Sequence, residues 1–344
     1  MLGTHEGEQY VNDNKQSHIS MFQVSTFPRV LIIRSMLQYI LNRFAQLVPV
    51  ILGIILLTFI LMYIVPGDPV LSMVGERYDE ETLERLREQF HLNDPVWKQF
   101  GHYLWGLLHG DLGVSFISQK PVSKMIMERF PATMMLATGA MVVSILLGIS
   151  VGVISAIKPH SWLDRTTMGI ALLGVSAPVF WVGLLMVIGA RAVGWPYLTG
   201  YGCLPYLVLP AITLGTRSAA FLARVTRANM LEVLSQDYVR TAKAKGLSSF
   251  VVVVKHALKN TLIPVITIIG VDFGSYLSGA VLTESIFNWP GIGRLALNAI
   301  LKRDFPVIQG AVLVTALIFV IANFLVDILY GIIDPRIRLG KEKS

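Results

Sequence analysis

Few residues of this chain have the type and spacing needed for catalysis. Residues 148–152, with the sequence GISVG, match the serine nucleophile elbow G-x-S-x-G, which would indicate a hydrolase. That motif requires a strand, a strained turn and a helix, whereas these five residues lie within a long apolar stretch typical of one helix. Ser150 can bond a backbone carbonyl in such a helix. We therefore predict no catalytic residue there.

Metal and cofactor sites are not indicated either. The histidines are scattered, and none has a partner three or four residues away that would place two ligands on one helical face. The single cysteine, Cys203, excludes a disulfide or a thiolate cage within the chain. A phosphate-binding G-x-x-x-x-G-K-[ST] loop is absent from the sequence. We expect no metal and no bound cofactor on this chain, and ATP would have to be bound by another protein.

Asp272 lies within a long apolar run, where an ionisable group is costly and is a candidate for a functional site. Two interpretations are open: the carboxyl faces a wet pathway and meets a substrate amine or a proton, or it pairs with a polar group on a neighbouring helix. Asn323 and Asp327 lie four residues apart near the end of the last apolar run. For them we predict interhelical hydrogen bonds.

The elements that position these residues must be membrane-spanning helices. The chain is 53% hydrophobic and only 15% charged, and its mean hydropathy is +0.61. Apolar runs of about 20 residues are long enough to cross roughly 30 Å of hydrocarbon. The predicted fold class is all-α, a polytopic membrane protein with about six spans near residues 42–65, 131–157, 166–192, 205–228, 261–284 and 307–332. The pairs Gly148/Gly152 and Gly270/Gly274 predict close helix packing.

The net charge of +7 could suggest nucleic acid, but the basic residues flank the apolar runs. This is the positive-inside pattern, which excludes nucleic acid as the partner and places both termini in the cytoplasm. The basic groups that define this side are Arg34 and Arg43, Lys158 and Arg165, the run from Arg224 to Lys259, and Arg336, Arg338, Lys341 and Lys343.

Five regions follow from this topology. Residues 1–35 are a polar cytoplasmic extension or an over-called start, with Met36 a plausible true start. Residues 36–65 hold the first transmembrane helix, and residues 66–130 form an external cap that contains an amphipathic stretch at 80–90. Residues 131–332 form a five-helix core, and residues 333–344 are a basic cytoplasmic tail.

The loop at residues 229–260 is longer than a connector between two spans needs to be. Its sequence is polar, basic and helix-forming up to Gly246, which can adopt the left-handed conformation needed just past a helix C-terminus. Lys243 and Lys245 near that end complement the helix dipole. The loop therefore predicts a separate helix in the cytoplasm.

Residues 237–247, with the sequence DYVRTAKAKGL, resemble the coupling loop of ABC importer membrane subunits, the so-called EAA loop, in its dipeptide and oligopeptide permease form. The general form carries Glu-Ala-Ala where this chain has Arg240, Thr241 and Ala242, so only Ala242 and Gly246 match it. Further stretches resemble the same family in the same order, at residues 66–69 (PGDP), 110–113 (GDLG), 224–233, 284–293, 304–310 and 334–338.

The resemblance implies a permease subunit of an ATP-driven importer of di- or oligopeptides in the bacterial inner membrane. It also implies a second homologous permease, two ATP-binding subunits that bind ATP and Mg, and an external peptide-binding protein. Gly246 would set the angle of the coupling helix, Tyr238 would anchor it, and Arg240, Lys243 and Lys245 would make its polar contacts with the ATPase. The residues of the ATPase-coupling loop would be Asp237, Tyr238, Arg240, Thr241, Ala242, Lys243, Ala244, Lys245 and Gly246. Nickel chelates or glutathione as the substrate, and a secondary transporter as the class, remain alternatives.

Overall fold

The computed structural model describes residues 29–64, 80–89 and 93–333, and within these ranges the regular elements are helices. The one β contact there is an isolated bridge between Val114 and Pro121. The helices are α1 (Arg29–Ile64), α2 (Glu80–Gln89), α3 (Val96–Leu108), α4 (Val122–Ile157), α5 (Trp162–Ser176), α6 (Val179–Ala192), α7 (Leu204–Leu234), α8 (Asp237–Ala244), α9 (Ser249–Leu277), α10 (Val281–Ile286), α11 (Ile292–Lys302) and α12 (Phe305–Ile333).

The all-α fold class is confirmed, and so is the approximate number of spans. Among the described residues, five helices are long and apolar enough to cross a membrane, and the number is six if α5 and α6 together make one span. These five are found in α1, α4, α7, α9 and α12.

The third predicted span, residues 166–192, is two helices that meet at 110°. Pro178 causes the break because its ring disfavours the helical conformation of the residue before it. Accordingly, Ala177 is extended, with φ −73° and ψ 131°, and α6 begins directly after Pro178. The apolar run at residues 166–192 predicted a single helix, but Pro178 divides it into two.

Several predicted boundaries also shift. Helix α4 starts at Val122, so residues 122–130 of the predicted cap form the first turns of a long helix. Helix α9 ends at Leu277, before Gly279 with φ +106°, and not at 284. Helix α1 starts at Arg29, inside the predicted extension, while α2 coincides with the amphipathic stretch. Residues 1–28, 65–79, 90–92 and the tail at 334–344 lie outside the described residues.

The centre of the bundle is the pair α4 and α7, which approach closely because glycine leaves room. A Cβ atom on Gly148 would lie 2.6 Å from Leu222 Cβ, and one on Gly152 would lie 2.6 Å from Thr226 Cβ. On α9, a Cβ atom on Gly274 would lie 3.0 Å from Ala322 Cβ of α12. The predicted close packing at these glycine pairs is confirmed.

The bundle has two distinct ends. We call residues 155–165 and 224–260 the basic end, since Ala156, Met230 and Ala257 from these segments pack in one cluster. We call residues 108–121, 195–204 and 278–304 the opposite end, where Gly200 N donates to Phe287 O at 2.9 Å. The spanning helices connect the two.

The predicted bonds of Asn323 and Asp327 are different in the structure. Asn323 donates to Phe319 O of its own helix at 2.9 Å, so the prediction of an interhelical bond is wrong for this residue. Asp327 does bridge two helices, but as an ion pair with Arg43 of α1 at 3.3 Å.

Candidate functional site

Helix α8 presents nearly all of the predicted coupling residues on one surface of the basic end. Its inner face is Val239 and Ala242, which are 0% and 6% exposed and pack with Leu234 and Val252. Ala242 therefore positions the helix and cannot contact a partner directly. The exposed residues are Asp237, Tyr238, Arg240, Thr241, Lys243, Ala244 and Lys245, followed by Gly246.

Gly246 ends α8 in the way the sequence predicts. Its φ is +77°, and its N–H donates to Lys243 O at 3.0 Å while Leu247 N–H donates to Ala242 O at 3.4 Å. These two bonds are the Schellman pattern, in which the residue after the helix is left-handed. A Cβ atom on Gly246 would meet nothing within 4 Å. The backbone conformation, not the space around it, is therefore what requires glycine here.

Two more contacts define the shape of the surface. Tyr238 accepts a hydrogen bond from Asn260 Nδ2 at 2.8 Å, which ties the phenol to α9. Asp237 and Arg240 form an exposed ion pair at 3.6 Å. Beyond Gly246, Leu247 is 40% and Phe250 is 76% exposed, and sequence reasoning did not assign either to the surface. An apolar patch therefore adjoins the basic one.

A π-helical segment, Val252–Leu258, joins this surface to the rest of α9. Val252 and Ala257 of this segment are buried, whereas Lys255 is exposed. π-Helical turns are rare and are frequently found at functional sites. Here Val252 of the segment packs against Val239 and Ala242 of α8.

Asp272 lies apart from the coupling surface, five residues before the end of α9. It is thirteen residues beyond Lys259, or about 20 Å at the helical rise per residue. Its carboxylate faces Ser218 and Arg217 of α7, close enough for an electrostatic interaction. Its Oδ2 atom is buried and has no hydrogen-bond partner among the described residues.

A chain of hydroxyl groups one turn further along α9 links three helices. Tyr276, one turn along α9, donates to Ser218 Oγ at 2.5 Å and lies 3.3 Å from Ser144 Oγ. Ser144 on α4 in turn donates to Gly215 O of α7 at 2.9 Å. Polar contacts therefore link α4, α7 and α9 in the apolar middle of the bundle.

At the opposite end, a single carboxylate organises the segment between α10 and α11. Glu284 is fully buried and accepts from Thr133 Oγ1 at 3.0 Å and from Arg294 N at 2.8 Å. Gly291 leaves no room for a Cβ atom beside this carboxylate. Trp289 Nε1 donates to Ala132 O at 2.8 Å, so the whole turn is fixed to α4.

Two buried carboxylates with partners elsewhere in the chain were not predicted from the sequence. Glu284 was noted only as the first residue of the stretch 284–293, which resembles the permease family. Asp164 is bonded to Arg227, 63 residues away, through two nitrogen atoms. A signal was present, because Asp164 is the only acidic residue between Glu128 and Glu232. Within the described residues, no three His, Cys, Asp or Glu side chains are grouped as a metal site would require.

Two family descriptions match this chain. Residues 148–339 match the binding-protein-dependent transport system inner membrane component. Residues 36–137 match the N-terminal part of the membrane component of binding-protein-dependent transport systems. Together the two matched ranges cover most of the helical bundle and the whole coupling surface.

Curated relatives are similar over nearly their whole length. The dipeptide transport system permease protein DppB of Escherichia coli (strain K12) is 42% identical over 340 residues, which is 89% of this chain and 100% of that protein. DppB of Alkalihalophilus pseudofirmus is 42% identical over 332 residues, 88% of this chain and 100% of that protein. The glutathione transport system permease protein GsiC of Escherichia coli O6:H1 is 40% identical over 304 residues, 88% and 99% of the two chains.

Solved structures share the fold. Two crystal forms of the MetNI methionine ABC transporter in inward-facing conformations match with TM-scores of 0.50 and 0.51, at 18% and 17% identity. Each match covers 61% of this chain and 96% of the other.

Proposed function

The chain belongs to the family of binding-protein-dependent transport system inner membrane components, and on that premise we propose that it is the permease subunit of an ATP-driven importer of di- or oligopeptides. The observation that carries the proposal is helix α8, a short basic helix held outside the bundle by Val239 and Ala242 with its charged side exposed. The two DppB relatives are named for dipeptide transport and supply the substrate class.

Helix α8 couples the bundle to an ATPase subunit. Its exposed charges and the aromatic ring of Tyr238 contact the ATPase, and Gly246 sets the angle at which the chain turns back toward α9. When ATP binding closes the ATPase pair, α8 moves as a rigid body with the ends of α7 and α9. Leu247 and Phe250 extend this contact with apolar surface.

The basic end faces the cytoplasm in this proposal, by the positive-inside rule. Both termini are then cytoplasmic, and the opposite end with α2 and α3 faces outward in the bacterial inner membrane. One bundle of this size does not enclose a peptide-sized path, so a second, homologous permease completes it. Two ATP-binding subunits hold ATP and Mg, and an external peptide-binding protein delivers the substrate.

Asp272 is the residue we assign to the pathway. Its Oδ2 atom is buried with no hydrogen-bond partner in the described part of the chain, and a peptide amine or a proton would satisfy this acceptor. Replacing Asp272 by Asn should then lower uptake while the amount of protein in the membrane stays unchanged.

Glutathione is the second candidate substrate, because the relative GsiC is named for its transport. Glutathione is itself a short peptide with a free amine, so the same pathway chemistry serves it. Selectivity between the two would be set largely by the binding protein that delivers the substrate.

Uptake in cells that lack this gene, with and without the gene restored, tests the proposal. We expect restored uptake of a labelled dipeptide, lost when the ATPase partner carries an inactive phosphate-binding loop. Competition with unlabelled glutathione or a nickel chelate separates the substrates. Uptake that survives loss of ATP hydrolysis but not loss of the proton gradient would overturn the importer assignment in favour of a secondary transporter.

A further inference from the structure

Asp164 and Arg227 form a bidentate ion pair at the basic end. Arg227 Nε donates to Asp164 Oδ1 at 2.6 Å, and Arg227 Nη2 donates to Oδ2 at 2.7 Å. The Asp164 side chain is 4% exposed and that of Arg227 is 24% exposed. A planar fork on a carboxylate fixes orientation as well as distance, which a single contact between point charges does not.

Three separate segments of the chain meet at this carboxylate. Ser155, near the end of α4, donates its hydroxyl to Asp164, and the N–H of His160 in the following loop donates at 2.9 Å. Arg227 comes from α7, and Asp164 itself stands in the first turn of α5. The carboxylate therefore joins the parts of α4, α5 and α7 that lie at the basic end.

The position of helix α5 depends on the Asp164–Arg227 pair more than the positions of α4 and α7 do. Only Asp164 and Ala171 are buried among its fifteen residues. Trp162 is 79% exposed, Ile170 is 68% exposed and Leu173 is 71% exposed. By contrast, α4 and α7 are interlocked by Gly148 and Gly152. The pair is thus not required to hold α4 against α7, but it is the main polar attachment of α5 to them.

Arg227 also lies close to the coupling helix along the chain. Met230, less than one turn further on α7, is fully buried against Ala257 of the π-helical segment. Helix α7 ends at Leu234, and α8 starts at Asp237. A displacement of α8 therefore reaches Arg227 through the packing of Val239 and Ala242 on Leu234, the last residue of α7.

Helices α5 and α6 connect the Asp164–Arg227 pair to the opposite end of the bundle. Helix α5 continues through the Pro178 bend into α6. There Gly183 faces Thr213 of α7 and Phe287 of the opposite end, since a Cβ atom on it would lie 3.2 and 3.5 Å from their side chains. Movement of α5 at the basic end can thus be transmitted to the opposite end.

We propose that the Asp164–Arg227 pair is the mechanical link that makes α5 and α6 follow the coupling helix. Both are positioning residues, which act through the helices they join and not on the substrate. The inference rests on the proposed function, because it requires that α8 moves with an ATPase.

Reconstituted importer with its partner subunits tests the link through the number of peptides transported per ATP hydrolysed. Asp164→Asn should lower that ratio roughly tenfold while ATP hydrolysis continues. Arg227→Lys, which keeps the charge but loses the fork, and Ser155→Ala should lower it less. Arg224→Lys is the matched control, an exposed arginine one turn earlier on α7, and should leave the ratio unchanged.

A purely structural pair would give a different result. Uptake and hydrolysis would then fall together, in proportion to the amount of assembled importer, and an unchanged ratio in Asp164→Asn and Arg227→Lys would overturn the inference. If the unaltered importer shows no peptide-stimulated hydrolysis, the proposed function fails instead.

A second measurement does not depend on the substrate. Spin labels at Trp162→Cys and Glu232→Cys, with Cys203 replaced by Ser, report the distance between the start of α5 and the end of α7. We expect one narrow distribution with the native pair and with Arg224→Lys, and a broad one with Asp164→Asn. A narrow distribution in Asp164→Asn would show that packing alone holds α5, and would overturn the link.

Discussion

At the basic end, the charged side chains of α8 stand in solvent, on a helix that is attached to the bundle by Val239 and Ala242. At the opposite end, the carboxylate of Glu284 is fully buried and bonded to Thr133 and to the backbone of Arg294. Helix α8 exposes its polar groups, whereas the turn around Glu284 satisfies its polar groups inside the protein.

The difference follows from what each end has to do. Exposed charges contribute little to the stability of the fold, so they can be used for a partner at small cost. A buried carboxylate with its donors in place fixes a single arrangement, and losing one member leaves the others unsatisfied. We therefore expect mutations around Glu284 to act on folding and mutations on the exposed side of α8 to act on coupling.

The largest effect on folding is expected for Glu284→Ala. The change leaves the buried hydroxyl of Thr133 and the partly buried N–H of Arg294 without their acceptor, at about 1–3 kcal/mol for a buried donor. Thermal unfolding of the detergent-solubilised protein should show a clear loss of stability. Glu128→Ala is the control, since Glu128 is exposed on α4. Equal unfolding temperatures for the two variants would contradict the contrast between the ends.

A smaller effect, on assembly and not on folding, is expected for Lys243→Glu. Lys243 is exposed, so the unfolding temperature should not change. Reversing its charge should reduce the ATPase subunit that co-purifies by roughly fivefold, with the difference shrinking at high salt. Lys124→Glu, also exposed but on α4, should co-purify normally. Loss of the ATPase in both variants would mean that overall charge matters and not this surface.

The smallest effect is expected for Tyr238→Phe. The phenol hydroxyl accepts from Asn260, but both groups are exposed and water replaces the bond. The change should therefore stay within about 0.5 kcal/mol, and uptake within roughly twofold. Tyr238→Ala, which removes the ring, should reduce uptake further. A large loss in Tyr238→Phe would show that the hydrogen bond, and not the ring, fixes this side of α8.

The sequence predicted the features that depend on local chemistry. Gly246 after a polar, basic stretch predicted a helix end with a left-handed residue, and the structure has it. The apolar runs predicted the spans because hydrocarbon thickness sets their length. The resemblance in residues 237–247 predicted the family.

Features that depend on distant contacts were not predicted. The bond between Asp164 and Arg227 joins residues 63 positions apart, and no local pattern encodes such a meeting. Glu284 is enclosed by a turn of its own segment and by Thr133 on another helix. The bend at Pro178 was overlooked because hydropathy averages over a window and hides a single breaker.

The central claim is that α8 couples this permease to ATP hydrolysis, and Gly246 tests it most directly. Val at this position must adopt the left-handed conformation at a cost of roughly 1–2 kcal/mol or lose the Schellman bonds, whereas Asn tolerates that conformation. We predict that Gly246→Val inserts normally but loses most dipeptide uptake, and that Gly246→Asn retains it. Normal uptake in Gly246→Val would contradict the coupling role of α8.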